Sequence, residues 1–442
     1  MPRQRILLST RIARILTLFS VCASVGCLGA YEPLPEPLCG NGTIDEDEQC
    51  DDANGMGGDG CQPDCTYSGA QLWSKMYDDG KGTNEVQAEV AIDSTGHIYV
   101  VGYPRNRDDY KWLQRYTPDG KLLWTFELPI DSEESSVRGL AVDSADRAVV
   151  TGSRVFLNVA YVMSVTADAK LFWAIKPETV ETLGDVLVDV VAHAGKLYSV
   201  GRSTIFDDIS AVASPLNLIT FSEDGKVMKK YSYTPESDDE FKEYTAFPYA
   251  NGITVATDGA LLVAGGYSYF EVEVKTRALL VAFEPSGALR WEERHTSPYG
   301  STWFNDVRVD AAGQVIATRT TQDTAIALQD KNYDQVLLKY DAFGKLLWTT
   351  SYDSDNHGSD YLNGMIVDSL NNIVTVGYSA SQAWLRKTSP DGRIFWTRTV
   401  GDDLSDSAYA VAVNADDSIV VAGFLHNSTA GGNNGWLAKY TP

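Results

Sequence analysis

No cysteine occurs after residue 65, although the chain runs to residue 442. A thiol nucleophile or a thiolate metal site is therefore excluded from most of its length. Histidine is scarce too. His97, His193, His295, His357 and His426 are scattered, without a close pair of the kind that ligates zinc, and each reads as a packing or surface residue. There is no GxSxG elbow, no Walker-type phosphate loop and no HExxH helix. Basic charge is also short: 36 Lys and Arg face 60 Asp and Glu, a formal net charge of −24. A nucleic-acid surface needs a basic stripe, so that class is set aside. Helical periodicity is missing from the body of the chain, and no run is long and apolar enough to span a bilayer.

What is present begins with a targeting segment. Arg3, Arg5, Arg11 and Arg14 form a basic region ahead of the apolar Ile15–Val25, the pattern of a signal peptide over residues 1–26. Cys22 leaves with it. Ser24-Val25-Gly26-Cys27 resembles a bacterial lipobox, with Ser24 where Leu is usual, which implies lipidation of Cys27. Leu28 in place of Asp after that cysteine implies the outer membrane or cell surface; without lipidation the chain is expected to be periplasmic or extracellular. Cysteine parity agrees, because Cys39, Cys50, Cys61 and Cys65 remain, an even number suited to two disulfides in any of three pairings. Residues 27–38 carry three prolines and read as an extended tether.

Residues 39–66 are rich in Cys, Asp and Gly and too short to build an apolar core, so disulfides must hold them. Their CGNG, CDD and GDGC elements resemble the myxobacterial-type cysteine-rich repeat. Asp45, Asp47, Asp51, Asp52, Asp59 and Asp64 cluster here, and Asp353, Asp355 and Asp360 lie close together further on. Neither spacing is that of an EF-hand loop. Solvated acidic turns are the simpler reading, with Ca²⁺ as the alternative; no other cofactor is expected.

From residue 70 one pattern repeats seven times. An alternating strand, a tight turn and a second strand ending in a small or polar residue occupy Ala91–Gly102, Leu140–Gly152, Val188–Gly201, Ile253–Gly266, Val307–Arg319, Met365–Gly377 and Val411–Gly423. A second hairpin follows, best seen in Trp112–Trp124, Leu337–Trp348 and Trp384–Trp396, where an Asp-Gly or similar turn precedes a strand with Trp. Trp173 and Trp291 end weaker copies, and Lys229 stands where the third Trp is expected. Periods of about fifty residues with four strands each fit propeller blades. The last copy stops after its third strand, Trp436–Tyr440, whereas Gln71–Tyr77 is a fourth strand without its first three. The expected fold is thus all-β: a seven-bladed β-propeller of four-stranded blades over residues 70–442, its last blade closed by residues 71–77, behind a small disulfide-rich module. The large Trp is expected to fill the gap between neighbouring blades.

The repeat resembles the bacterial SBBP-type β-propeller repeat and, more faintly, the blades of quinoprotein dehydrogenases, whose cofactor residues have no counterpart here. TPDG at Thr117–Gly120, SEDG at Ser222–Gly225 and SPDG at Ser389–Gly392 resemble the Asp-box turn of sialidases, a structural element there as well.

Propellers bind through loops between blades and between second and third strands. Here those loops place aromatics beside carboxylates: Asp108, Asp109 and Tyr110; Asp207 and Asp208; Asp239 and Phe241; Tyr269; Trp303; Asp353, Asp355, Asp360 and Tyr361. Rings stack on sugars and carboxylates accept hydrogen bonds, so this set is the candidate ligand face. The leading expectation is a monomeric, non-enzymatic envelope lipoprotein that binds a protein or glycan and meets the membrane only through its anchor. The alternatives are a propeller enzyme (glycosidase, lyase or quinoprotein-like oxidoreductase) and a Ca²⁺-dependent adhesin.

Overall fold

The computed structural model describes residues 39–45, 48–80, 84–104, 111–130, 135–154, 159–176, 185–203, 205–206, 211–213, 215–237, 246–269, 276–298, 300–322, 333–352, 359–379, 382–401, 405–427 and 432–442. Among them are seven four-stranded antiparallel sheets, one short accessory hairpin and no helix. The inner strands are Glu85–Ile92, Ser135–Val142, Asp185–His193, Ala246–Val255, Thr302–Val309, Asp360–Val367 and Ser407–Val413, for blades one to seven. Each blade continues outward in chain order. The seventh is the exception: its outer strand is Gln71–Tyr77, paired antiparallel with Gly432–Tyr440 from Gln71↔Tyr440 to Tyr77↔Gly435. The expected closure is what the ring uses, and it removes two unpaired sheet edges.

The apolar core is divided into seven clusters, one at each interface between neighbouring blades. Tight turns join the first two strands of each blade, and the last two in blades one to six, on one side, here the turn face. Connections between blades and between second and third strands lie on the other, the loop face. Each outer-strand Trp locks one blade to the next, as expected. Trp173 lies on the turn glycine Gly225, whose φ is +84°, and its indole N–H donates to the Glu223 carbonyl at 2.9 Å. A Cβ at Gly225 would meet the indole at 2.7 Å, so a glycine is required there for reach as well as for backbone angle. Trp73, Trp124, Trp291 and Trp348 donate in the same way to Pro118, Ala167, Ala342 and Pro390.

A second lock lies just inside the first. The residue paired with each Trp on the third strand is a cation in four blades: Arg115, Lys339, Lys387 and Lys439. Three of these meet an aspartate from the turn after the inner strand: Arg115 with Asp93 at 2.6 Å, Lys339 with Asp310 at 2.9 Å and Lys387 with Asp368 at 3.0 Å. In blade two, Arg147 of the turn itself pairs with Asp143 at 2.7 Å. The Lys387–Asp368 side chains are 1% exposed, so each is tolerated there only with the other.

The cysteine-rich module is held by nested disulfides, Cys39–Cys65 and Cys50–Cys61. Such bridges belong to an oxidising, extracytoplasmic setting, and no helix among the described residues is long and apolar enough to cross a membrane. The module docks on the ring at its seam. Gln62 donates to the Pro442 carbonyl at 2.9 Å, and Arg398 donates to Ser68 O at 2.7 Å and Gly69 O at 3.2 Å. Trp396 packs on Gly69, which stands in for the turn that blade seven lacks.

Candidate functional site

Two features of the ring bring polar and aromatic groups together. The first is the axial channel, a cavity of about 420 Å³ lined by all seven inner strands. Every inner strand carries a bulge at the same place, at residues 88, 138, 188, 251, 305, 363 and 409. A bulge re-aims the local backbone and side chains. In blades four to six the bulged residue is Asn251, Asn305 or Asn363. Each donates to a carbonyl of the following blade: Phe304 at 2.7 Å, Leu362 at 2.6 Å and Ala408 at 2.8 Å.

The next residue alternates around the ring: Glu89, Gly139, Asp189, Gly252, Asp306, Gly364 and then Ala410. The two aspartates reach across to the blade that carries glycine. Asp189 accepts from Ile253 N at 2.9 Å, and Asp306 accepts from Met365 N at 3.1 Å while pairing with Arg308 at 2.6 Å. Among the described residues the Glu89 carboxylate accepts no hydrogen bond. Burial within the ring raises all three acids. For Glu89 the charges of Asp189 and Asp306 add to burial, with Arg308 opposing, and its carboxyl is held well above the usual range. Asp189 is pushed up to about 6 by burial, against the pull of Arg308 and Ile253 N–H. Asp306 is raised by burial despite Arg308 and two backbone donors.

The second feature is an aromatic run at the loop-face ends of blades five and six. Trp303 and Tyr361 occupy equivalent inner-strand positions, two residues before the bulge. Tyr333 lies between them, with ring centroids 5.6 Å from Trp303 and 6.0 Å from Tyr361. Tyr361 stacks on its cross-strand partner Tyr378 at 4.6 Å and 12°. All four rings are half-buried, with part of each surface open. This connects two residues of the candidate ligand face through two that sequence reasoning did not select.

The remaining candidates fall elsewhere. Tyr269 is buried, edge-on to Tyr267 and beneath Arg277. Asp360 is buried, and its carbonyl accepts from Gln335. Cys27, Asp108, Asp109, Tyr110, Asp207, Asp208, Asp239, Phe241, Asp353 and Asp355 lie outside the described residues. In the module, Asp51 accepts backbone N–H bonds from Gly40, Asn41, Gly42 and Ala53, the work of a loop-holding residue. Near the loop face, the carboxylates of Asp78, Asp79 and Glu85 lie within 4.8 Å of one another.

One sequence signal marks both features: an aromatic, any residue, Asn, then Gly or Asp. It occurs at Tyr249–Gly252, Trp303–Asp306 and Tyr361–Gly364, in three consecutive blades.

No protein-family pattern and no curated protein sequence matches the chain. Solved structures do share the fold. A polysaccharide lyase is 10% identical with a TM-score of 0.54, covering 84% of this chain and 99% of its own. An ulvan lyase is 10% identical with a TM-score of 0.55, covering 82% and 95%. At that identity the likeness extends to the propeller fold and no further.

Proposed function

We propose that the chain is an exported, non-enzymatic binding module that takes a glycan on its loop face. The run Trp303–Tyr333–Tyr361–Tyr378 carries this reading. Four partly open rings in sequence offer stacking platforms for the apolar faces of successive sugar rings. Anchoring through a lipid on Cys27 completes the proposal and fits the fold's polarity. The module docks at Pro442, on the turn face, so an anchor preceding it would leave the aromatic run on the opposite side of the ring. A glycan-array and pull-down screen with the full mature chain tests the binding role. Saturable capture of a glycan, weakened in Trp303→Ala and in Tyr361→Ala, supports it; capture unaffected by both substitutions refutes it. Metabolic palmitate labelling, lost in Cys27→Ser, tests the anchor.

The axial carboxyls favour a second reading, a propeller enzyme with Glu89 as proton donor. Its raised affinity for a proton and lack of a hydrogen-bond partner suit general acid work. Turnover of a polysaccharide that disappears in Glu89→Gln would establish it in place of the first.

A further inference from the structure

Blade three departs from the others at both locks. Where four other blades have a buried aspartate it has His193, and blade four has Ala256. Where four have a cation on the third strand, blades three and four have Thr220 and Ala282. In blade three the Trp position is Lys229, directly opposite Thr220. The cation has therefore moved one strand outward, its aspartate is gone and the indole is gone with it. Tyr231, two residues on, covers the turn glycine Gly287 instead, and its hydroxyl is buried without a partner.

A cleft of about 330 Å³ opens between blades three and four on the turn face. Lys196 and Lys229 are its cations, His193 lies beside them, and Tyr198, Met228 and Pro285 supply its apolar wall. Among the described residues neither lysine is paired with a carboxylate. Asp258, on the blade-four side, is already engaged by Arg290 at 2.7 Å. In a chain with a net charge of −24, this is a concave site with two lysines that meet no described carboxylate, Lys229 lying over the Tyr231 ring at 5.9 Å, beside apolar surface.

We propose that this cleft binds a small carboxylate-bearing ligand, whose anion is taken by Lys196 and Lys229. The ligand's apolar body lies against Met228 and Tyr198. The site is on the opposite face from the aromatic run and does not depend on it.

The test uses the full mature chain with isotope-labelled methionine methyl groups, the Met228 signal being assigned through Met228→Leu. Benzoate and glucuronate are titrated against sodium chloride at matched ionic strength. The Met228 methyl is expected to shift saturably with at least one carboxylate and not with chloride, while Met163 and Met365 stay in place. Lys229→Trp, which restores the indole, is expected to abolish the shift and raise Tm. Lys229→Met removes the charge at similar length; it is expected to lose binding while keeping the wild-type spectrum elsewhere. A Met228 methyl unmoved by both acids at about 50 mM, a very weak-binding regime, overturns the proposal. So does a carboxylate shift that survives Lys229→Met.

Discussion

The turn face and the axial channel spend the same residue type in opposite ways. On the turn face, aspartates sit among donors. Burial alone would raise Asp93, but the Thr95 hydroxyl, Arg115 and the backbone N–H groups of His97 and Thr95 outweigh it and hold the carboxyl below its usual range. In the channel, Glu89, Asp189 and Asp306 face one another across the axis with one close guanidinium, Arg308, and burial prevails. The first arrangement is repeated from blade to blade and joins the ring. The second is assembled once, from three different blades, and raises the affinity of its carboxyls for protons. Repetition marks structure in this molecule, and departures from repetition mark where chemistry can be added.

The sharpest way to break that comparison is at the buried pairs. Asp368→Ala leaves Lys387 enclosed without its partner and is expected to cost about 3–5 kcal/mol in urea unfolding. His193→Ala, at the equivalent place in blade three, is expected to stay within about 0.5 kcal/mol. Equal costs would mean that the locks are not what distinguishes the blades. Trp396→Ala removes the indole that seals the ring against the module and should cost about 3 kcal/mol, seen as an earlier unfolding midpoint.

The two carboxylate classes also predict a two-sided pH profile. Acids raised in the fold bind more protons folded than unfolded, so their stabilisation is full below the unfolded pKa and lost as pH rises through the folded one. For Asp189 that window runs from 3.8 to about 6. Thermal stability is therefore expected to rise on acidification from neutrality toward the lower end of that window, by about 1–2 kcal/mol after allowance for water in the channel. The lowered Asp93 works the other way: its contribution is present above 3.8 and lost as pH falls below it. Glu89→Gln and Asp189→Asn should flatten the upper limb of Tm against pH and leave the acid limb in place. The smallest effect belongs to the loop face. Tyr361→Ala is expected to weaken glycan capture about tenfold, the loss of roughly 1.4 kcal/mol of ring contact, while shifting stability by less than about 1.5 kcal/mol.

The ring was legible because its signals are local and repeated: hairpin turns, alternating strands and a Trp at a near-constant offset. Even the seam could be read, since Gln71–Tyr77 is a strand without a blade and Trp436–Tyr440 belongs to a blade without a strand. The two nested disulfides could not be chosen among three pairings, because spacing alone does not set the distances between cysteines. The channel acids were invisible for a different reason. Glu89, Asp189 and Asp306 lie about a hundred residues apart, and the bulge before each one breaks the simple alternation that tells inward from outward. Tyr378 escaped notice because cross-strand register, absent from the linear sequence, brings it to Tyr361, and Tyr333 because it meets Tyr361 only across the interface between blades five and six. Lys229 was visible as an anomaly, but the cleft it borders also needs His193 and Thr220, which only the pairing register sets beside it.

The seam has a consequence for how the molecule comes into being. Its closing strand is made early, and its partner is made more than 350 residues later. During synthesis or passage through a membrane pore, Gln71–Tyr77 therefore waits as an orphan while six blades form behind it. Closure then joins the most distant points of the body, the costliest kind of contact to form and the last available. A product cut short before Gly432 would hold six finished blades and an open gap. Circularity thus acts as a check on synthesis: only a chain extended through Tyr440 acquires a closed ring.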